Sequence, residues 1–302
     1  LYPDNVPELP EVETIARGLD KRVAGDVVES VWIGSRKQPL KSPAAAIAAT
    51  LEGKRIVRVH RAGKHIVFDL EGEARGSRTA TKKGNRAARG QTRQAASLPE
   101  SGGRTAQWIV HLGMTGSMIV SEPAADVAKH THLIAKLASG RELRFIDPRM
   151  FGRLSIHPGG FDPGGVEPLQ VSEERFTELF RGRKTPIKSA LLNQKLLRGV
   201  GNIYADESLF RAGIRPRRRA ATITRERLGK LHAAVREVLR EAIALGGSSI
   251  SDYVDADGEA GFFQLQHRVY GREGEPCLVC GTAIRRIVLA GRSSHYCSNC
   301  QK

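Results

Sequence analysis

Four cysteines near the end of the sequence constrain this chain most: Cys277-x2-Cys280, then sixteen residues, then Cys297-x2-Cys300. A thiolate is a soft, strongly donating ligand, and two CxxC knuckles supply four of them, the set that tetrahedral zinc takes. A cytosolic redox pair would need only one CxxC. All four cysteines fall in the last 26 residues, which argues against a secreted disulfide framework. Arg285, Arg286 and Arg292 lie between the knuckles, on what the spacing predicts to be a zinc-held hairpin. They read either as solvated arginines around a purely structural metal or as a nucleic-acid contact.

The charge of the chain favours the second reading. The net charge is +16 and the isoelectric point about 10.1. The excess is spread along the sequence, which points to a polyanion such as nucleic acid, or less often to an acidic membrane surface. No apolar run approaches the 18 or so residues of a membrane span, and no signal-like block opens the sequence. A soluble, cytoplasmic protein is expected, long enough at 302 residues for two domains.

The stretch Val6-Pro7-Glu8-Leu9-Pro10-Glu11-Val12-Glu13-Thr14 has two readings. One is a helix start, with Pro10 in the first turn and carboxylates facing the positive helix end. The other is chemical. Freed of what precedes it, Pro7 would be a secondary amine with an ordinary pKa of roughly 8, against about 10.4 for lysine. Such an amine attacks carbonyl-like carbon and forms a Schiff base, and Glu8 beside it can move a proton. Both readings can hold together.

Further along, Val12, Ile15, Ala16, Leu19 and Val23 recur at helical spacing up to Gly25. Strands are expected at Val27–Gly34, at Arg55–Leu70 around a tight turn that projects Lys64, at Trp108–Leu112, His132–Leu137 and Glu142–Ile146. Residues 71–106 carry almost no large apolar side chains, so a disordered basic loop is expected there. Met114 sits between Gly113 and Gly116, and Arg149 and Phe151 share the loop Asp147-Pro148-Arg149-Met150-Phe151-Gly152. An exposed pair of this kind suits stacking and phosphate contact, or is an ordinary loop with an inward phenylalanine. Pro158–Gly165 reads as the interdomain linker. Helices are expected at Glu173–Arg181, Ile187–Leu197, Asn202–Phe210 and through Leu228–Ile243. The turn Gly199–Asn202 would leave backbone N–H groups free for a phosphate.

Taken in order, PELPEVET, HLGMTG at 111–116, DPR-x-FG at 147–152, GVGNIYADESLF at 199–210 and the CxxC pair resemble the Fpg/Nei family of DNA glycosylases. The resemblance runs from Pro7 to Lys302 apart from 71–106. Leu-Pro after Pro7-Glu8, and HLGM, favour its formamidopyrimidine-DNA glycosylase branch over the Nei-like pyrimidine branch. It implies an α+β protein: an N-terminal β-sandwich with flanking helices over 7–157, a linker over 158–170, a helix-two-turn-helix domain over 171–261 and a zinc finger over 262–302.

The activity implied is a base-excision-repair glycosylase and abasic-site lyase. It would act on double-stranded DNA holding 8-oxoguanine or formamidopyrimidines, as a cytoplasmic, nucleoid-associated monomer. Pro7 then resembles the nucleophile on sugar C1′ and Glu8 the acid that assists ring opening. Lys64 resembles the lysine that holds phosphate and supports β-elimination, and Arg292 the arginine of DNA binding and δ-elimination. Met114, Arg149 and Phe151 resemble the trio that fills the vacated stack. His130, Arg183 and Asn202 resemble backbone-phosphate contacts, and Asp257–Phe263 the segment that caps the flipped base. The chemistry needs no cofactor, and one structural Zn2+ is held by Cys277, Cys280, Cys297 and Cys300.

Three departures stand out: residues precede Pro7, Met150 stands where a second arginine is common, and 71–106 is long and basic. Val6 lies where the family has its initiator Met, so the expectation is that Leu1–Asn5 reflects start-site choice. A Nei-like glycosylase and a non-catalytic DNA-binding zinc protein are the competing readings.

Overall fold

Helix α1, Leu9–Val23, has Pro10 and Glu11 in its first turn, as the sequence predicts, and is capped by Glu8, with Lys21 and Arg22 in its last turn. The computed structural model describes residues 6–72, 106–248 and 261–302. The expected basic loop, all but the ends of which is 73–105, therefore lies outside the described residues. So do Leu1–Asn5 and 257–260 of the capping segment.

Eight strands, several of them continuous apolar runs, pair into two four-stranded antiparallel sheets. One has the order β1 (Val28–Ile33), β6 (Thr131–Leu137), β7 (Glu142–Ile146), β5 (Ser117–Ser121). The other has β2 (Arg55–Ala62), β3 (His65–Glu71), β4 (Ala106–His111), β8 (Arg153–His157). Their inner faces share one core, in which the Phe68 and Trp108 rings stack at 4.7 Å beside Leu133, Leu143 and Phe145. Val12, Ile15, Leu19 and Val23 of α1 join that core, and so do Ile47 and Leu51 of α2 (Ala44–Leu51).

Leu9, one turn earlier on α1, belongs to a different core. It packs with the apolar faces of α3 (Glu173–Phe180), α4 (Ile187–Leu191), α5 (Asn202–Arg211) and α6 (Arg225–Ala244). The first helix is therefore the joint between the two halves, and its N-terminus sits where they meet. Phe263 and Tyr270, in the segment expected to be zinc finger, also join the helical core.

The expected linker is clasped rather than free. Phe161 donates its N–H to Gln107 Oε1 (2.7 Å) and packs against Ala62, Val67 and Ile109. Arg198 pairs with Asp162 (2.9 Å), and Arg61 with Glu167 (2.7 Å). The helix expected over Ile187–Leu197 ends at Leu191, where Asn193 turns its N–H to Ala190 O (3.2 Å) and its side chain takes the Lys195 N–H (3.0 Å). The C-terminal hairpin forms as predicted, with β9 (Arg285–Leu289) against β10 (Arg292–Tyr296). Among the described residues, no helix is long and apolar enough to cross a membrane.

Candidate active site

Two chain segments far apart in sequence meet at Glu8. The Leu9 N–H donates to Gly199 O (3.0 Å), and the Ile203 N–H donates to Glu8 Oε1 (3.1 Å). This approach requires both glycines of Gly199-Val200-Gly201. Gly199 has φ +88°, and a Cβ there would lie 2.8 Å from Leu9 Cβ. A Cβ at Gly201 would lie 2.2 Å from the Glu8 carboxyl carbon. Glu8 is 2 % exposed, and its Oε2 has no hydrogen-bond partner among the described residues. Burial lifts its pKa to about 7, with Lys64 opposing the rise and Glu11 adding to it. Glu8 can thus carry a proton near neutral pH. Gly201→Ala should displace this carboxylate and cut base excision by about two orders of magnitude or more, the usual share of a positioned acid. Single-turnover kinetics would measure it, with thermal denaturation as the control for folding.

Glu11, which the sequence suggested only as a first-turn carboxylate, ties three elements together. It accepts the Glu8 N–H (2.9 Å), the Ser248 N–H (2.8 Å) and the Tyr204 hydroxyl. Burial raises its pKa, and these donors pull it back.

Lys64 projects from the β2–β3 turn, where Gly63 has φ +60°. Burial lowers its pKa against the pull of Glu8 and Glu11, and Arg292 lowers it further. The turn is braced by Arg61, which is 6 % exposed in its side chain, pairs with Glu13 (2.8 Å) and Glu167 (2.7 Å), and donates to Gly63 O (3.2 Å). His111 is a neighbour that the sequence did not single out. Its pKa falls to about 4, mainly through burial and then through His65 and Lys64, so the ring is neutral and Nδ1 accepts the Gly113 N–H (3.1 Å).

Arg292, at the start of β10, is exposed. Its strand is docked by a buried ion pair hidden from sequence reasoning, Lys188–Asp206 (2.7 Å). Lys188 Nζ also donates to Ser293 O (2.5 Å), and Asp206 accepts the His295 N–H (2.8 Å). Apolar spacing around Lys188 suggested only a leucine-rich helix, and nothing local marks the pair.

Below the hairpin, all four cysteine sulfurs lie within 4.8 Å of one another. Tetrahedral zinc with bonds of about 2.3 Å needs sulfurs about 3.8 Å apart. Cys277–Cys300 is 3.9 Å and Cys280–Cys297 is 3.5 Å. Backbone N–H groups of Val279 and Cys300 point at Cys277 and Cys297 sulfurs, as they do toward thiolates. The donor set fits one zinc ion.

The remaining expected residues divide. Met114 is half-buried, whereas Arg149 and Phe151 are exposed and stacked, with the guanidinium carbon 4.9 Å from the ring centroid. His130 and Arg183 are exposed. Asn202 is buried, and both ends of its amide lack a partner among the described residues, as a site awaiting a polar ligand would leave them. The Gly199–Asn202 turn departs from expectation at one of its four N–H groups. Gly199 spends its N–H on Gln194 Oε1 (2.8 Å), and the next helical N–H, that of Ile203, goes to Glu8.

Known proteins resemble this chain over almost its whole length. The family models "Formamidopyrimidine-DNA glycosylase N-terminal domain", "Formamidopyrimidine-DNA glycosylase H2TH domain" and "Zinc finger found in FPG and IleRS" match residues 6–154, 165–254 and 274–302. The formamidopyrimidine-DNA glycosylase of Solibacter usitatus is 43 % identical over 98 % of this chain and 100 % of its own length. The MutM (Fpg) crystal structure from Thermus thermophilus is 38 % identical, with TM-score 0.78 and 98 % of each chain covered. A point mutant of the Lactococcus lactis Fpg, solved in complex with DNA containing Fapy-dG, is 30 % identical. Its TM-score is 0.80, over 98 % of this chain and 100 % of that one.

Proposed function

This chain belongs to the formamidopyrimidine-DNA glycosylase family, and from that premise we propose how its own residues carry out base excision on double-stranded DNA. The substrate is an oxidised purine, 8-oxoguanine or a formamidopyrimidine, flipped out of the duplex. The Pro7 nitrogen, as a free secondary amine, attacks sugar C1′ and displaces the base, which leaves with the proton that the amine gives up. Glu8 donates its proton to O4′, the ring opens, and an iminium forms between Pro7 and C1′. The iminium draws electrons from C2′, whose proton is then lost as the 3′-phosphate departs. Loss of the 5′-phosphate follows as a second elimination. Lys64 and Arg292 hold the phosphates through which these steps run, and Asn202, His130 and Arg183 hold the flanking backbone. Met114, Arg149 and Phe151 fill the space the nucleotide leaves. Zinc supplies no chemistry here and keeps Arg292 in place.

One observation carries the reading: a buried acid that is half-protonated near pH 7 lies next to Pro7, within electrostatic reach of Lys64. An acid works only while protonated, so excision should fall as pH rises through about 7. Glu8→Gln should lower excision by about 10²- to 10⁴-fold, and its residual activity should lack that alkaline limb. Single-turnover excision of 8-oxoguanine between pH 5.5 and 9, on a chain starting at Pro7, reads both. An unchanged alkaline limb in Glu8→Gln would assign it to another group.

A further inference from the structure

The loops that carry Met114 and Arg149–Phe151 come from different strand connections, β4–β5 and β7–β8, yet one fully buried carboxylate serves both. Asp147 Oδ1 accepts the Thr115 hydroxyl (2.6 Å), and Oδ2 accepts the Gly152 N–H (2.7 Å). Thr115 Oγ1 in turn accepts the Arg149 N–H (3.3 Å), so the hydroxyl passes the link from one loop to the other. The backbones are in contact as well: a Cβ at Gly113 would lie 2.5 Å from the carbonyl carbon of Phe151. Between them Met150 is held at φ +57°, in the left-handed region, with its N–H on Asp147 O (3.3 Å). A side chain stays in that region only where its surroundings over-determine it.

We propose that Asp147 is the positioning residue of the lesion wedge, and that through Thr115 it makes Met114, Arg149 and Phe151 enter the duplex as one rigid body. The proposal rests on the reading of those three residues as the filling of the vacated stack. Two independent loops would each lose freedom on insertion, whereas a pre-joined pair has already lost it. Neither Asp147 nor Thr115 touches the reacting atoms. Their loss should therefore act where a stack must be opened, and not on the sugar chemistry.

The test uses the full chain with Pro7 at its N-terminus and two substrates. One is an 8-oxoguanine duplex. The other is a single-stranded oligonucleotide with one abasic site, which offers no stack to open. Thr115→Val removes the shared hydroxyl at nearly constant shape, and Asp147→Asn removes one acceptor. Each should slow duplex excision about tenfold or more, as expected when a buried partner is left unpaired. Each should leave borohydride trapping on the single strand within about twofold, and Thr115→Ser should restore duplex excision. Equal losses on both substrates, or an unchanged duplex rate in Thr115→Val, would overturn the proposal. Phe151→Ala separates the two failures. If it slows duplex excision and Thr115→Val does not, the wedge stands and the coupling through Asp147 falls. If Phe151→Ala leaves the duplex rate unchanged, the wedge reading falls and the proposal with it.

Discussion

A chain that begins at Pro7 should give a borohydride-stable covalent adduct with 8-oxoguanine DNA, and the same chain with Leu1–Val6 ahead of Pro7 should give none. Inside a peptide, the proline nitrogen is a tertiary amide. Its lone pair is delocalised into the preceding carbonyl and it has no proton to lose. It can neither attack C1′ nor form an iminium. Glu8 is fixed at its N–H by Glu11 and at its side chain by Ile203, and Leu9 is fixed by Gly199. The Pro7 nitrogen is one residue from that fixed point. The expected difference is loss of trapping to background, while lesion-duplex binding by the extended form survives in part. Pro7→Gly at the N-terminus should keep some trapping through its primary amine. Both N-termini must be confirmed by intact mass.

Cys297→Ser should cost the chain its zinc and, at physiological salt, roughly two orders of magnitude in DNA affinity, because Arg292 and the hairpin charges of Arg285 and Arg286 lose their places. The core of the finger is small: Phe210, Val269, Cys277, Ile284 and Cys297. Two of those five are ligands themselves, so the finger has little to hold it together once the metal leaves. Zinc binding in small fingers is worth about 10–16 kcal/mol at neutral pH, which is folding free energy. With the hairpin unfolded, the contacts of Ser293 and His295 to Lys188 and Asp206 are lost and Arg292 is no longer placed. The sandwich should stay folded, since its core shares no residue with the finger. Elemental analysis, lesion-duplex titration and circular dichroism check the three parts. A zinc-free variant that binds DNA normally would refute the structural role of the metal.

What the sequence made legible follows from the range of the forces involved. Local signals sufficed for α1, the β2–β3 turn at Gly63 and the cysteine knuckles, where period, turn chemistry or ligand spacing act within a few residues. The strand order β1-β6-β7-β5 did not follow from pattern, because β1 and β6 lie about a hundred residues apart and alternation names no partner. Helix α2 was missed. Its sequence, AAAIAATL, has no charged face to set a period, and only Ile47 and Leu51 are buried. Strands β5 and β8 each bury a single residue fully, Met118 and Leu154, whereas the expected β7 buries four, so their apolar signal was too weak to stand out. At the site, resemblance named Pro7, Glu8, Lys64 and Arg292. It did not name the residues that hold them: Glu11, Arg61, His111 and the Lys188–Asp206 pair. Those act through contacts between segments as distant as Glu11 and Ser248, and no single stretch carries such a contact. Even the Gly199-Val200-Gly201 turn was legible only as a turn. Its real requirement, room for Leu9 and the Glu8 carboxylate, belongs to the assembled fold.

The central claim is that the Pro7 nitrogen is the atom that joins DNA. Locating the borohydride-trapped bond tests it most directly. The adduct formed by a chain starting at Pro7 would be digested with nuclease and trypsin, and the peptide carrying the residual sugar identified by tandem mass spectrometry. The account predicts the added mass on the N-terminal peptide Pro7–Arg17, at the proline nitrogen. Added mass on a peptide containing Lys64 or Lys188, with Pro7–Arg17 recovered unmodified, would contradict it.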